Sequence, residues 1–171
     1  VRALAKRIRP VRKGQRLELQ FINIANFGFD GISQLMQAQL AEVGFHTTIT
    51  DQAFPAVGTT YNQGKHNLAD WFYYDVDPYL FNAVFNSKQI KAGFNWSHYS
   101  NPSVDAAIAK ANTDPNTDSR TQRYEAIALT LAKSATVIPI YNLESIVVTQ
   151  PNIAGLKFSS VGQPLFHSAT A

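Results

Sequence analysis

The chain has 171 residues, 45% of them hydrophobic and 16% charged, which supplies enough apolar material for one core burying roughly 70% of the unfolded surface. That balance excludes an intrinsically disordered chain, no apolar run approaches the ~20 residues that span a bilayer, and the absence of cysteine removes disulfide frameworks and thiolate metal or redox sites. Fifteen basic residues against twelve acidic ones give a net charge of +3, but seven of the fifteen stand in residues 1–16, so the remaining 8 against 12 leave a body of −4 with no basic surface for nucleic acid.

Residues 1–16 read as a solvated basic lead-in rather than a nucleic-acid arm, and they lack the apolar centre and small-residue cleavage site of a secretory signal. Leu17 to Ile24 alternates apolar and polar residues and is expected to be a strand. A helix follows, with Asp30 as N-cap, an apolar stripe of Ile32, Leu35, Met36, Leu40 and Val43, and Gly44 at the C′ position. Phe45 to Thr50 is the next strand. Strand, helix and strand within about thirty residues make a βαβ unit on a parallel sheet.

Residues 51–67 carry Pro55, Gly58 and Gly64 and read as a short helix and loop. Leu68 to Tyr74 is β-prone and runs into Asp77-Pro78, where the proline ends any ladder. If the run is extended, Trp71, Tyr73 and Asp75 point to one side and Phe72 and Tyr74 to the other, which leaves one aromatic face for a ligand or partner. Asn101 with Pro102 starts a helix carrying Val104, Ile108 and Ala111. A second helix, capped at Asp118, carries Tyr124, Ile127, Ala128, Leu131 and Ala135. Val137 to Tyr141, interrupted by Pro139, reads as an edge strand, and Ser145 to Thr149 and Leu156 to Phe158 complete the β content.

The nine glycines form neither a Gly-x-Gly-x-x-Gly nor a Walker-type loop, so nucleotide chemistry is unsupported. His46, His66, His98 and His167 are too far apart for a paired helical metal site. Asp114-Pro-Asn116-Thr-Asp118-Ser119 with Glu125 matches a calcium loop except at the sixth place, where Ser stands for the turn-making Gly; a helix-capping loop explains the same residues. Asp75 and Asp77 would share one face beside aromatics, the composition of a glycosidase cleft, although an Asx turn at Pro78 accounts for them as well.

In chain order, the segments Leu40-Ala-Glu-Val-Gly44, Trp71 to Pro78, Phe85-Asn86-Ser87 and Tyr99-Ser-Asn101-Pro102-Ser-Val-Asp105 carry a family pattern. Ala111, Arg120-Thr-Gln-Arg-Tyr124, Ile138-Pro139-Ile-Tyr141 and Gly155-Leu156 continue it. Together they resemble the family 5 extracellular solute-binding proteins of ABC transporters, which include oligopeptide-, dipeptide- and nickel-binding members. The likeness runs from Leu17 to about Leu156.

The resemblance implies an α/β fold, one lobe of a type II periplasmic-binding-protein fold with a mixed sheet flanked by helices. Residues 17–171 would be the C-terminal lobe, and residues 1–16 would lead in from a missing N-terminal lobe. The implied function is non-enzymatic capture of a peptide-like ligand, with oligosaccharide next, by closure of two lobes and delivery to a membrane permease. It needs no cofactor and no metal, and the implied location is periplasmic or extracellular, a cell-surface lipoprotein included. In peptide-binding members an aspartate four residues before the Asp-Pro proline holds the peptide's amino terminus. Here that place is Tyr74, and the nearest carboxylate is Asp75. The expected ligand-binding set is Trp71, Tyr73, Tyr74, Asp75 and Trp96. Two alternatives remain at this stage: a ligand-sensing domain of a transcription regulator, and a carbohydrate-active enzyme using Asp75 and Asp77.

Overall fold

The computed structural model describes residues 17–73, 75–142 and 144–170; the basic lead-in 1–16 and Tyr74 lie outside the described residues. The chain divides into two units, one running up to Phe72 with Ile90–His98, the other Tyr73–Gln89 with the chain from Tyr99 onward.

The first unit is organised by strand β1 (Leu17–Ile24), whose last four residues, Phe21 to Ile24, are all buried. A strand covered on both faces must be central, and β1 pairs in parallel with β2 (Phe45–Gln52) on one side and β3 (Leu68–Ala69) on the other. The sheet order β2-β1-β3 is all parallel. Parallel neighbours need crossovers, and two helices supply them: α1 (Asp30–Glu42) between β1 and β2, and α2 (Phe54–Asn62) between β2 and β3. The expected βαβ unit is therefore present.

Two details of the first unit depart from expectation. Phe29, not Asp30, occupies the N-cap, and Asp30 is the first helical residue, its carboxylate accepting from Asn23 Nδ2 at 2.7 Å. The buried stripe of α1 is also rotated: Leu35 is 60% exposed and Ser33 is buried. The polar residues satisfy themselves on the inner face, Ser33 Oγ donating to Asp30 O and Gln37 Nε2 to Thr47 O. Gly44 does sit at C′, with φ +96° and its N–H on Ala41 O. Gly64 ends α2 similarly at φ +62°, where a Cβ would stand 2.6 Å from His98 Cε1.

The predicted strand over Leu68 to Tyr74 stops after Ala69. Asp70 is the reason: its Oδ1 takes the N–H of Ile24 at 3.0 Å, replacing the ladder with a side-chain bond. Beyond it the period-two alternation fails, because the Trp71 and Phe72 rings lie 5.4 Å apart and only 12° from parallel. Both pack on the same core cluster of Ile22, Ile24, Phe29, Val57, Tyr61 and Trp96.

The second unit is built on α3 (Leu80–Phe85), α4 (Pro102–Asn112) and α5 (Thr117–Ser134). Their apolar stripes meet in one cluster of Val84, Phe85, Val104, Ile108, Ala111, Tyr124, Ile127 and Leu131. Asn101 caps α4 as expected, its Oδ1 accepting from the backbone N–H of Ser103 and Val104, with Pro102 at N1. Asn101→Ala should cost about 1 kcal/mol, read as a lowered urea midpoint at unchanged slope. The cap of α5 is Asn116 rather than Asp118, and Ala135 ends the helix at φ +52° rather than extending its apolar stripe.

Asp114 is spent on the same loop, its Oδ2 accepting from Ser119 Oγ and Arg123 Nε. Arg123 first, then Ser119 and the Asn116 N–H, push its carboxyl down to about 2. The calcium-like pattern is thus a capping loop, and among the described residues no group of three or more His, Asp or Glu side chains is arranged to hold a metal ion.

The strands expected at Val137 to Tyr141 and Ser145 to Thr149 do not form. Strands need a neighbour for their N–H and C=O groups, and among the described residues of 137–149 no backbone bond is made. Ile138, Ile140, Ile146 and Val148 are instead exposed, Val148 by 91%. Lys157–Phe158 (β4) is the expected late strand and pairs antiparallel with Pro164–Leu165 (β5), which sequence reasoning missed.

Candidate functional site

In open parallel sheets, ligand sites gather outside the carboxyl ends of the strands, and here each of the three strands delivers an aromatic residue just past that end. Phe27 follows β1, Phe54 follows β2 and Trp71 follows β3. Their rings stack in a nearly parallel series, Phe27 on Phe54 at 4.9 Å and 13°, Phe54 on Trp71 at 5.5 Å and 10°. Phe72 joins from Phe27 at 5.2 Å and 15°. Phe27 and Phe54 are 45% and 41% exposed, so the series is open to solvent at one side.

A second layer stands edge-on beneath it. Trp96 meets Trp71 at 4.3 Å and 83°, and Tyr61 meets both indoles at steep angles. The Trp96 indole N–H donates to Asn62 Oδ1 at 3.0 Å, and the fully buried Tyr61 donates its hydroxyl to Asp70 O. Edge-to-face contacts are favoured by ring quadrupoles and hold the upper layer in place. Exposed Phe94 approaches Trp96 edge-on from the later segment.

The structure brings Trp71 and Trp96 together but gives them different positions: Trp71 is half-buried in the stacked layer, and Trp96 is 9% exposed in the supporting one. Tyr73 and Asp75 belong to the second unit, where both are exposed. Asp75 Oδ1 accepts the Asp77 N–H at 3.0 Å, the Asx turn that was the plainer of the two sequence readings. Phe27 and Phe54 were missed; the available signal was an aromatic immediately after each strand.

Asp77 accepts from the Tyr79 N–H at 2.8 Å and from Arg120 at 2.6 Å. These bonds, the Tyr79 N–H foremost, hold its carboxyl below the ordinary aspartate range. A glycosidic general acid requires the opposite shift.

Asp70 is the perturbed carboxyl of the first unit, raised to about 6 chiefly by burial, against the Ile24 N–H and with the carboxylates of Asp30 and Asp51 adding to it. A folded-state value above the unfolded one gives stability that is complete below about pH 4 and lost as pH rises through 6. Asp70→Asn should therefore be more stable than wild type at pH 7 by about 1–2 kcal/mol, half the full two-unit equivalent because the group is only half-buried. Urea midpoints at pH 4 and 7 check it: the advantage must vanish at the lower pH.

No family model matches the chain. A curated relative, the probable di/tripeptide-binding protein 5 of Pseudomonas aeruginosa (strain UCBPP-PA14), is 25% identical over 137 residues, 78% of this chain and 26% of that protein. The chain thus spans about a quarter of the length of the curated relative it matches. Among solved structures, the dipeptide-binding protein of Pseudoalteromonas sp. SM9913 in complex with Met-Leu matches 98% of this chain and 35% of that one, with a TM-score of 0.74 at 15% identity. HbpA2 of Haemophilus parasuis matches 91% of this chain and 32% of that one, at 0.72 and 16%. The periplasmic binding protein DppA of Helicobacter pylori, in complex with the peptide STSA, matches 79% and 26%, at 0.66 and 18%. The resemblance read from the motifs is borne out, and the fold is the α/β fold of these periplasmic binding proteins, with a parallel sheet flanked by helices.

Proposed function

We propose that this chain forms part of the solute-binding component of an ABC importer and that its aromatic face takes a peptide-like ligand. The observation that carries the reading is the stacked series Phe27, Phe54, Trp71 and Phe72 at the carboxyl ends of the parallel strands. Flat, half-exposed rings offer large contact area with few torsions to freeze, which suits apolar side chains of varied shape. The names of the curated relative and of the structural neighbours support peptide as the ligand class.

In this reading residues 17–171 act as one lobe, a second lobe supplies the opposite wall, and the closed pair is delivered to a permease at the outer face of the membrane. No helix among the described residues is long and apolar enough to cross a membrane. Neither catalysis nor a cofactor is required, and Asp75 and Asp77 serve the turn at Pro78.

The two tryptophans of the chain both lie in the aromatic face, so indole fluorescence reports on it directly. Titrating the 171-residue chain with Met-Leu and with Ala-Ala-Phe should give a saturable but weak fluorescence change, because one wall alone makes only part of the contacts. Maltotriose should give none. A response to maltotriose without one to either peptide would replace peptide by oligosaccharide, and silence with all three would remove the aromatic face as a binding surface.

A further inference from the structure

A second, chemically different cavity lies in the first unit, on the side of α1 and β2. Its volume is about 570 Å³, and it is lined by Asp30, Gln34, Gln37, Thr47, Thr48 and Asp51 among others, with no Lys or Arg. Thr47, Ile49 and Asp51 share one face of β2 by the period of two, and Asp30 approaches from the first turn of α1.

The two carboxylates are held in register by one buried amide. Asn23 is fully buried, and its Nδ2 donates to Asp30 Oδ1 at 2.7 Å and to Asp51 Oδ1 at 2.8 Å. Both amide hydrogens are thereby used on the inner oxygens. The outer oxygen of each carboxylate has no hydrogen-bond partner among the described residues.

A separate observation points into the same space. Thr47 is 5% exposed and lines the cavity, and its hydroxyl oxygen is buried with no hydrogen-bond partner among the described residues. Buried polar groups are ordinarily paired, so the cavity wall carries acceptor capacity that nothing in the described chain fills. Negative charge is also left uncompensated there, since Asp30 and Asp51 both act to raise the neighbouring Asp70 carboxyl. The one imidazole in the wall, His46, is engaged with Glu18 at 2.6 Å.

We propose that this cavity binds an organic cation, a primary ammonium or guanidinium group, between the carboxylates of Asp30 and Asp51, with Thr47 and the Gln34 and Gln37 amides as neutral neighbours. A bare metal ion is the poorer fit, because two carboxylates without a third His, Asp or Glu make no metal-holding group and the volume suits a ligand of several heavy atoms. A planar guanidinium or an ammonium instead gains charge-assisted bonds from two fixed carboxylates. The site stands apart from the aromatic face and does not depend on the peptide reading of it.

Calorimetry on the 171-residue chain with spermidine and with N-acetyl-arginine amide tests the assignment, with N-acetyl-alanine amide and Mg²⁺ as comparisons. At least one organic cation should bind, and its affinity should fall five-fold or more in Asp51→Asn, which preserves shape and the acceptor for Asn23. Thr48→Lys, at an exposed position of the cavity wall, should abolish binding by supplying its own ammonium. Tighter spermidine binding would identify a free polyamine as the source of the cation, and tighter arginine-amide binding a basic peptide. Binding of neither cation, equal binding of the alanine amide, Mg²⁺ binding that the organic cations fail to displace, or wild-type affinity in Thr48→Lys would each overturn the site. Uncharged peptides read the aromatic face alone, so failure of one site is distinguishable from failure of the other.

Discussion

Tyr61→Ala is expected to destabilise the first unit by about 3–5 kcal/mol, the range for removing a fully buried aromatic ring. Tyr61 is 0% exposed and stands at the junction of three features. Its ring supports Trp71 and Trp96 edge-on and lies 5.2 Å from that of His66, its hydroxyl binds Asp70 O, and its own carbonyl meets His98 Nε2 at 3.2 Å. Truncation leaves a cavity beneath the stacked layer that rigid neighbours fill only in part. Tyr61→Phe keeps the ring and loses only the hydroxyl bond, at about 1 kcal/mol. Urea unfolding followed by circular dichroism separates the two, and equal losses in both variants would mean that the ring supports nothing.

The second large effect concerns binding. Trp71→Ala should weaken peptide affinity at least ten-fold, equivalent to about 1.4 kcal/mol. Trp71 joins the layers: it stacks on Phe54 and Phe72 and receives the edges of Tyr61 and Trp96. Its loss removes contact surface and the support that aligns Phe54. Trp71→Phe keeps a flat ring and should recover most of the affinity, measured by fluorescence of the remaining Trp96 at a temperature where all variants are folded. Wild-type affinity in Trp71→Ala would sever the aromatic face from peptide binding.

The elements legible in the sequence are those whose signals are local. The alternation of Leu17 to Ile24, the C′ glycine at 44 and the Asn101-Pro102 start of a helix each specify a conformation without reference to distant residues, and each is present. What sequence reading misjudged depends on partners. The aromatic run from Trp71 looks like a strand because ring-rich segments fit a pleated sheet, but Asp70 captures the Ile24 N–H and the run leaves the ladder. The inner face of α1 was assigned by hydrophobicity, whereas Ser33 and Gln37 are buried there through bonds to backbone carbonyls. Phe27 and Phe54 escaped notice because nothing local marks them; only the parallel register aligns the three strand ends that carry the aromatics.

The unpaired stretch of the second unit has a consequence for how the chain behaves in concentrated solution. Ser145-Ile-Val-Val-Thr149 combines strong β propensity with no charge and no proline, and its Ile146 and Val148 side chains stand in water over a backbone with open donors and acceptors. Such a segment is a template for a like segment of another molecule, by the edge-to-edge growth that leads to cross-β assembly. Glu144 on one side and Pro151 on the other are the nearest residues able to interrupt that growth. Colloidal behaviour of this chain is thus governed less by its net charge of +3 than by what covers five residues near its carboxyl end.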